Sequence, residues 1–563
     1  MGVRKLWSFV SQVNSGTTRS FSYHPACENG VSDWPTSLIF DGPSFAYWFW
    51  KENTLREGTA ATLPALFGPS LTDKDEYAKY ATLITTFIKG LVELGKFKLY
   101  AIYAEAILIL RTFLFDGALP KRKWSERARR YQSLIKDYTA QAAGKSRYTA
   151  PPFVVLVCQQ TLIKLSSEHG ITVKVVPGEA DEYCVWTSRT ENNAIVLSSD
   201  GDFLVHVGEE GSFVPLQLFP LSAEQTLSLI VYTRVRENLG LSREGTMVEL
   251  AALLGERVAL TPAQCVRCIN LRQTLDYISK DTLNRYLEIY TIAPFEDSNR
   301  KGGKYMDRGD IPGRLTELFF YEGVPIHWLP QFPITNPPRK SPWLISRPIR
   351  QSAYYQLREH GAIKGDCVTE IIRRAERMAE DTVPIEDVEI NLRDTSAQSV
   401  FIYAMQLLLE FSSNEEMKLL PAFAEMFHSM GSKMTPVHII LPPAAHYLIL
   451  QYQSIIYSLI IYLHSRSAAV NSIPQFSTLW DLTRFKLALT SNPSMKEKAW
   501  MGILDQMDSD LRDLWNVNSL QSKSQKKKAK LKRLNEEKAP EYIDQNRFSV
   551  LLSSAADSSG ELG

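Results

Sequence analysis

The chain has 563 residues, well beyond the roughly 250–300 at which a single core stops growing, so more than one domain is expected. Hydrophobic residues make up 44%, charged residues 22%, and the formal net charge is +1. This is ordinary globular composition; it excludes a collagen-like or wholly disordered chain, and it excludes a polyanionic partner held by overall positive charge.

Six cysteines are too few and too scattered for a disulfide framework, and MGVRKLWSFV at the start lacks the apolar run of a secretory leader. Reduced thiols and an intracellular setting are therefore expected.

From Ser37 to about His206, short apolar runs alternate with helical stretches. The strands expected are Ser37–Phe40, Thr112–Phe115, Thr172–Val176 and Ile195–Ser198; the helices between them are Glu76–Leu94, Lys123–Ala143, Pro152–His169 and Glu179–Arg189. Strands separated by helices imply a parallel sheet with right-handed crossovers. Beyond about Glu256 the strand signals thin out, and amphipathic runs at Ser352–His360, Val368–Glu380, Ser396–Ser413 and Asn414–Met430 predict a mainly helical region. The expected division is 1–255, 256–518 and a tail at 519–563 that holds the lysine block Lys526–Arg533 and a Ser-rich end. Leu99–Phe115 is interrupted by Glu105 and Arg111, and Ile439–Leu463 by Pro442, Pro443, His446 and Gln451, so both are expected as buried core segments and not membrane spans.

The strand ends carry acids. Asp41 follows SLIF, Asp116 follows TFLF, and Asp200 and Asp202 follow IVLS; after TVKVV and a Pro-Gly turn, EADE opens a helix with Glu179 and Asp181. In an open α/β sheet, function collects outside the carboxyl ends of the strands. Any one such acid is more often a turn former or helix cap, but six form a pattern. Six like charges in one place would force protonation unless cations compensated them, and oxygen donors without nearby His or Cys favour Mg²⁺ or Mn²⁺ over zinc. Two such ions can clamp an in-line phosphoryl displacement. Downstream of Asp116 runs the basic helix KRKWSERARR. Lys123 and Arg130 lie two turns apart on one face, suited to orienting a phosphate or to a solvated surface. Trp124 beside them can stack on a base or pack in the core.

These motifs resemble those of the XPG/flap-endonuclease superfamily, and more narrowly of the fungal Asteroid-type proteins. MGVRKLWSFV is similar to the family's opening, IFDGPSFAYWF and FLFDGALPKRK to its first two Asp motifs, VPGEADEYCVW to its internal acidic motif, and VLSSDGDFLVH to its S-x-D-x-D motif. SPWLISRPIRQSAYYQL and NRFSVLL look like Asteroid-type segments.

The resemblance implies a PIN-like, flap-endonuclease-like parallel sheet with flanking helices, followed by a mainly α-helical domain. It further implies a Mg²⁺- or Mn²⁺-dependent endonuclease with two ions, one held by Asp41, Asp116, Glu179 and Asp181 and the other by Asp200 and Asp202. Lys123 and Arg130 would be the catalytic basic pair, and Gly2, Lys121, Arg122 and Trp124 nucleic-acid contacts. The expected partner is branched or single-strand-containing DNA, with RNA left open, and the expected location is nuclear.

The chain departs from the family at three places, and the first two, a lost acid and a lost hairpin, favour a second reading, a catalytically weak or inactive binding module. LLGERV places Glu256 and Arg257 where active relatives have an acid. ALTPAQCVRC replaces a glycine-containing hairpin that grips duplex backbone. Phe97–Ile109 looks like inserted sequence. Cys265 and Cys268 form a lone CxxC, which is weak support for zinc or redox chemistry.

Overall fold

The computed structural model describes residues 18–21, 37–56, 76–102, 110–119, 121–142, 152–191, 194–207, 212–219, 227–241, 246–256, 260–290, 315, 318, 325–332, 341–374, 377–392, 394–411, 443–466 and 473–479. The expectations for Gly2, Arg257, Asn414–Met430 and the tail 519–563 fall outside these residues, as does the side chain of Arg122.

The first half is built on a seven-stranded sheet. Its strands are β1 (Thr18–Phe21), β2 (Ser37–Asp41), β3 (Leu110–Phe115), β4 (Ile171–Val175), β5 (Ala194–Ser198), β6 (Ser212–Pro215) and β7 (Leu227–Val231), in the order β1-β7-β6-β5-β2-β3-β4. The run β6-β5-β2-β3-β4 is parallel throughout, and β7 and β1 close one side antiparallel. All four strands expected from the sequence are present, shifted at their ends by two residues or fewer.

The central strands are apolar on both faces because helices cover both faces. Leu38, Phe40, Phe113, Phe115, Ile195 and Leu197 point into one cluster with helices α1 (Gly42–Arg56), α2 (Glu76–Ile102) and α4 (Val154–His169). Ile39, Leu114 and Val196 alternate to the other side, where they meet α5 (Ala180–Thr190), the short α6 (Phe203–His206) and α8 (Thr246–Gly255). Helix α3 (Trp124–Ala142) starts after a 3-10 turn at Lys121–Lys123, and α7 (Tyr232–Asn238) follows β7. Helix α9 (Pro262–Asn270) opens with a capping box between Thr261 and Gln264, and α10 (Lys280–Tyr290) packs on α8. At Gly42, which opens α1, an added Cβ would lie 2.8 Å from the Leu114 carbonyl oxygen, so glycine lets the helix start against β3.

The second half corrects one expectation. Val368–Glu380 is not a helix: β9 (Cys367–Arg374) and β10 (Arg377–Pro384) pair antiparallel, and β8 (Ile326–Trp328) joins β9 in parallel. Five of the eight β9 residues are buried, so polar–apolar alternation is lost and the charges mimic a helical face. The other long elements are helices: α11 (Arg347–Glu359), α12 (Ala397–Phe411), α13 (Pro443–Ser465) and the short α14 (Phe476–Leu479). Helix α13 is buried along residues 450–465, as expected of a core segment. Among the described residues, no helix is long and apolar enough to cross a membrane. One hydrophobic cluster runs from Leu38 to Leu479, so the two halves share a core.

Candidate functional site

The acids come together because four neighbouring strands, β5, β2, β3 and β4, run parallel and end on one edge. Asp41 is the last residue of β2, and Asp116 follows β3. Glu179 caps α5, Asp181 lies in its first turn, and Asp200 follows β5.

The loops at this edge are tied to one another. The backbone N–H groups of Gly117 and Ala118 donate to the carbonyls of Gly178 (2.8 Å) and Pro177 (3.2 Å). The Ala180 N–H donates to Asp116 Oδ1 at 2.8 Å. Asp116 thereby satisfies an orphan donor at the start of α5 and locks the second acidic motif to the third. A serine joins the first motif to the fourth. Ser198 Oγ donates to Asp41 Oδ2 at 2.6 Å, accepts from the Asp200 N–H at 3.0 Å, and lies 3.1 Å from Ser44 Oγ. Ser44 N–H reaches Asp41 Oδ1 at 3.3 Å, and Asp202 N–H donates to Asp200 Oδ1 at 3.0 Å. Ser198 sits inside the S-x-D-x-D motif, but its role could not be read from the chain, because its partner is 157 positions away.

The carboxylates at this edge repel one another. Burial, then repulsion from Asp41, Asp200, Asp116 and Glu179, pushes the Asp181 carboxyl well above the usual range. Asp41 is raised to about 6 by burial and by Asp116, against the hydrogen bonds from Ser198 and Ser44. The Tyr290 phenol is raised by burial and then by Asp202 and Asp200.

Lys123 is delivered to this edge, its Nζ 2.5 Å from Glu179 Oε2. Arg130 shares its helical row but is 69% exposed and pairs with Glu126 at 2.5 Å. Lys121 is exposed. The Trp124 indole donates to the Leu119 carbonyl at 3.2 Å, and its half-buried side chain packs against the cluster of Tyr131, Trp328 and Ile371. Glu256 pairs with Arg285 at 2.8 Å. Among the described residues, no three His, Cys, Asp or Glu side chains stand arranged to hold a metal ion. Asp41, Asp116 and Glu179 already spend oxygens on Ser198, Ala180 and Lys123. Cys265 and Cys268 are buried thiols.

A family model described as "XPG domain containing" matches residues 150–385, a span that takes in Glu179, Asp181, Asp200 and Asp202 and runs on through β8, β9 and β10. "Asteroid homolog 1" of Schizosaccharomyces pombe is 26% identical over 411 residues, covering 69% of this chain and 66% of that relative's length. Among solved structures, the catalytic core of Rad2 in complex with DNA substrate is 16% identical, covering 52% of this chain and 89% of that one, with a TM-score of 0.30. Human GEN1 in complex with Holliday junction DNA is 15% identical, covering 51% of this chain and 61% of that one, also with a TM-score of 0.30. The chain, an α/β core with acidic motifs on one sheet edge, is thus similar to the XPG domain over residues 150–385 and to Asteroid homolog 1 over 411 residues.

Proposed function

We propose that the chain is a divalent-cation-dependent nuclease that hydrolyses phosphodiester bonds of branched or single-strand-containing nucleic acid, DNA in the first place. The observation that carries this reading is the gathering of Asp41, Asp116, Glu179, Asp181 and Asp200 at one edge of the parallel strands, where hydrogen bonds tie Asp116 to the start of α5 and Asp41 to the Asp200 loop through Ser198. A buried Asp41 with half-buried Asp116, Glu179, Asp181 and Asp200 on one edge is a costly arrangement unless cations compensate the charge.

The donor set suits hard cations such as Mg²⁺ or Mn²⁺. It offers carboxylate oxygens, and the Cys184 thiol beneath them is raised by burial and by Asp41, Asp181 and Asp116, so it stays protonated and is a poor ligand. Asp41, Asp116, Glu179 and Asp181 are assigned to one ion, and Asp200 and Asp202 to a second. When bound, such ions supply Lewis acidity and neutralise charge on the phosphodiester under attack.

The chain's own groups do the rest. Ser198 orients Asp41 and the Asp200 backbone, and Asp116 fixes the start of α5. Lys123, held ready by Glu179, offers a charge-assisted hydrogen bond to a phosphate oxygen. Arg130 follows only after leaving Glu126. The lysine block Lys526–Arg533 is the basis for proposing a nuclear location.

One observation favours the second reading, a binding module without catalysis: Glu256 does not replace the missing acid but pairs with Arg285. The discriminating experiment is a panel of labelled flap, fork, hairpin and single-stranded DNA and RNA, with Mg²⁺, Mn²⁺ or EDTA. Cation-dependent cutting of flap or single-stranded substrates supports the nuclease. Binding without cutting on every substrate replaces it with the binding module.

A further inference from the structure

Helix α3 does not stand free. Trp124, Arg127, Ala128 and Tyr131, spaced i, i+3, i+4 and i+7, form one face of it. That face lies on the small sheet of the second half, against Trp328 of β8, Ile371 of β9 and Met378 of β10. Trp328 is 3% exposed. The Tyr131 ring meets it edge-on at 5.8 Å between centroids, and the Arg127 guanidinium lies 5.9 Å over its face.

The back of the same sheet is held by a buried polar network. Because strand side chains alternate, His327 and Glu370 point away from α3. Arg350, fully buried, donates to Glu370 at 2.5 and 2.7 Å, to Ser346 Oγ at 2.7 Å, to Ser458 Oγ at 3.1 Å and to the Trp343 carbonyl at 3.0 Å. Tyr354 donates to Glu370 at 2.7 Å, and His327 Nδ1 lies 2.7 Å from the Tyr354 hydroxyl. Asp381 of β10 is clasped by Arg347 and Arg374. The sheet is thus fixed to α11 and α13 on one side and to α3 on the other.

Lys123 is the residue immediately before α3. A slide of α3 by one residue, about 1.5 Å, is enough to break a 2.5 Å contact between Lys123 and Glu179.

We propose that Trp328 is a positioning residue for Lys123: through Tyr131 and Arg127 it sets the register of α3 and so aims the lysine at the carboxylate edge. The kinetic part rests on the nuclease reading above; the structural part does not. The second half then acts as a brace for the site, which fits the shared core of the two halves.

The test is a double-mutant cycle with an independent structural readout. In single-turnover cleavage, Trp328→Ala is expected to slow the chemical step about tenfold or more with little change in substrate affinity. Trp328→Phe is expected to recover most of the rate. The double variant Lys123→Ala/Trp328→Ala is expected to be no slower than Lys123→Ala alone, because both substitutions remove one function. Hydrogen exchange of residues 121–135 is expected to quicken in Trp328→Ala, while residues 37–41 and 194–198 keep their protection. If Trp328→Ala does not fold, Tyr131→Leu takes its place with the same expectations. Additive rate losses, or unchanged exchange in 121–135, overturn the proposal. If the wild type cuts no substrate, the nuclease reading fails and the exchange measurement alone decides whether Trp328 sets α3.

Discussion

Ser198 and Asp41, 157 positions apart, share a 2.6 Å hydrogen bond at the floor of the carboxylate edge. The same hydroxyl accepts from the Asp200 N–H, so one buried side chain fixes the spacing of two strand ends. Ser198→Ala leaves the buried Asp41 carboxylate short of a donor, which costs about 1–3 kcal/mol. The expected outcome is a lower midpoint in urea unfolding and a larger loss of cleavage than stability alone explains. A variant with wild-type stability and wild-type rate would remove Ser198 from the site.

Lys123 and Arg130 should not be equivalent. Lys123 already touches Glu179, whereas Arg130 is turned to Glu126 and mostly in water. Lys123→Ala is expected to slow single-turnover cleavage by roughly a hundredfold, in the range of a lost positioned charge. Arg130→Ala is expected to cost less and, being mostly in water, to alter folding by no more than about 0.5 kcal/mol, as is usual for surface changes. Equal losses, or a larger loss for Arg130→Ala, would show that Arg130 moves to the substrate.

The strand ends were legible in the sequence because apolar runs are broken by Asp or by Pro-Gly turns; that the acids share one edge depends on the strand order β5-β2-β3-β4, which the sequence does not carry. What was illegible depends on contacts distant in the chain. VTEIIRRAERMAE has the charges of a solvated helix, yet Glu370 is fully buried because Arg350 lies 20 positions upstream to receive it. Trp328 looks like any core aromatic until α3 is seen lying on it. Trp124, expected as a stacking platform or a core contact, packs half-buried against the same cluster.

Gly255 is required by Tyr286. A Cβ there would overlap the Tyr286 hydroxyl and lie 2.9 Å from its ring Cζ. Gly255→Ala gains up to about 1 kcal/mol of helix propensity but loses more to overpacking, typically 1–3 kcal/mol. Net destabilisation is expected in thermal melts, and Tyr286→Phe in the same background should recover part of it. A more stable Gly255→Ala single variant would contradict this geometry.

His206 ties stability to pH. Burial, with help from Lys123 and Arg189, lowers its pKa from the usual 6.5 to about 3, and its Nδ1 is buried without a hydrogen-bond partner. The unfolded chain therefore binds a proton that the folded chain refuses; this contribution is full above about pH 6.5 and is lost as pH falls toward 3. Asp41, raised to about 6, works in the opposite sense, so the quantity to measure is the stability difference between wild type and His206→Phe. That difference should move in favour of His206→Phe as pH is lowered from 7.5 to 4.5. A pH-independent difference would mean that His206 is solvated.

The most direct test of the carboxylate edge as a cation-dependent nuclease site is the cleavage rate of a labelled flap substrate titrated with Mg²⁺, for wild type and for Asp200→Ala/Asp202→Ala. The account predicts a saturable rise in rate for wild type, no cutting in EDTA, and loss of cutting in the double variant at every Mg²⁺ concentration. Cleavage that survives the double substitution, or that proceeds equally in EDTA, would contradict it.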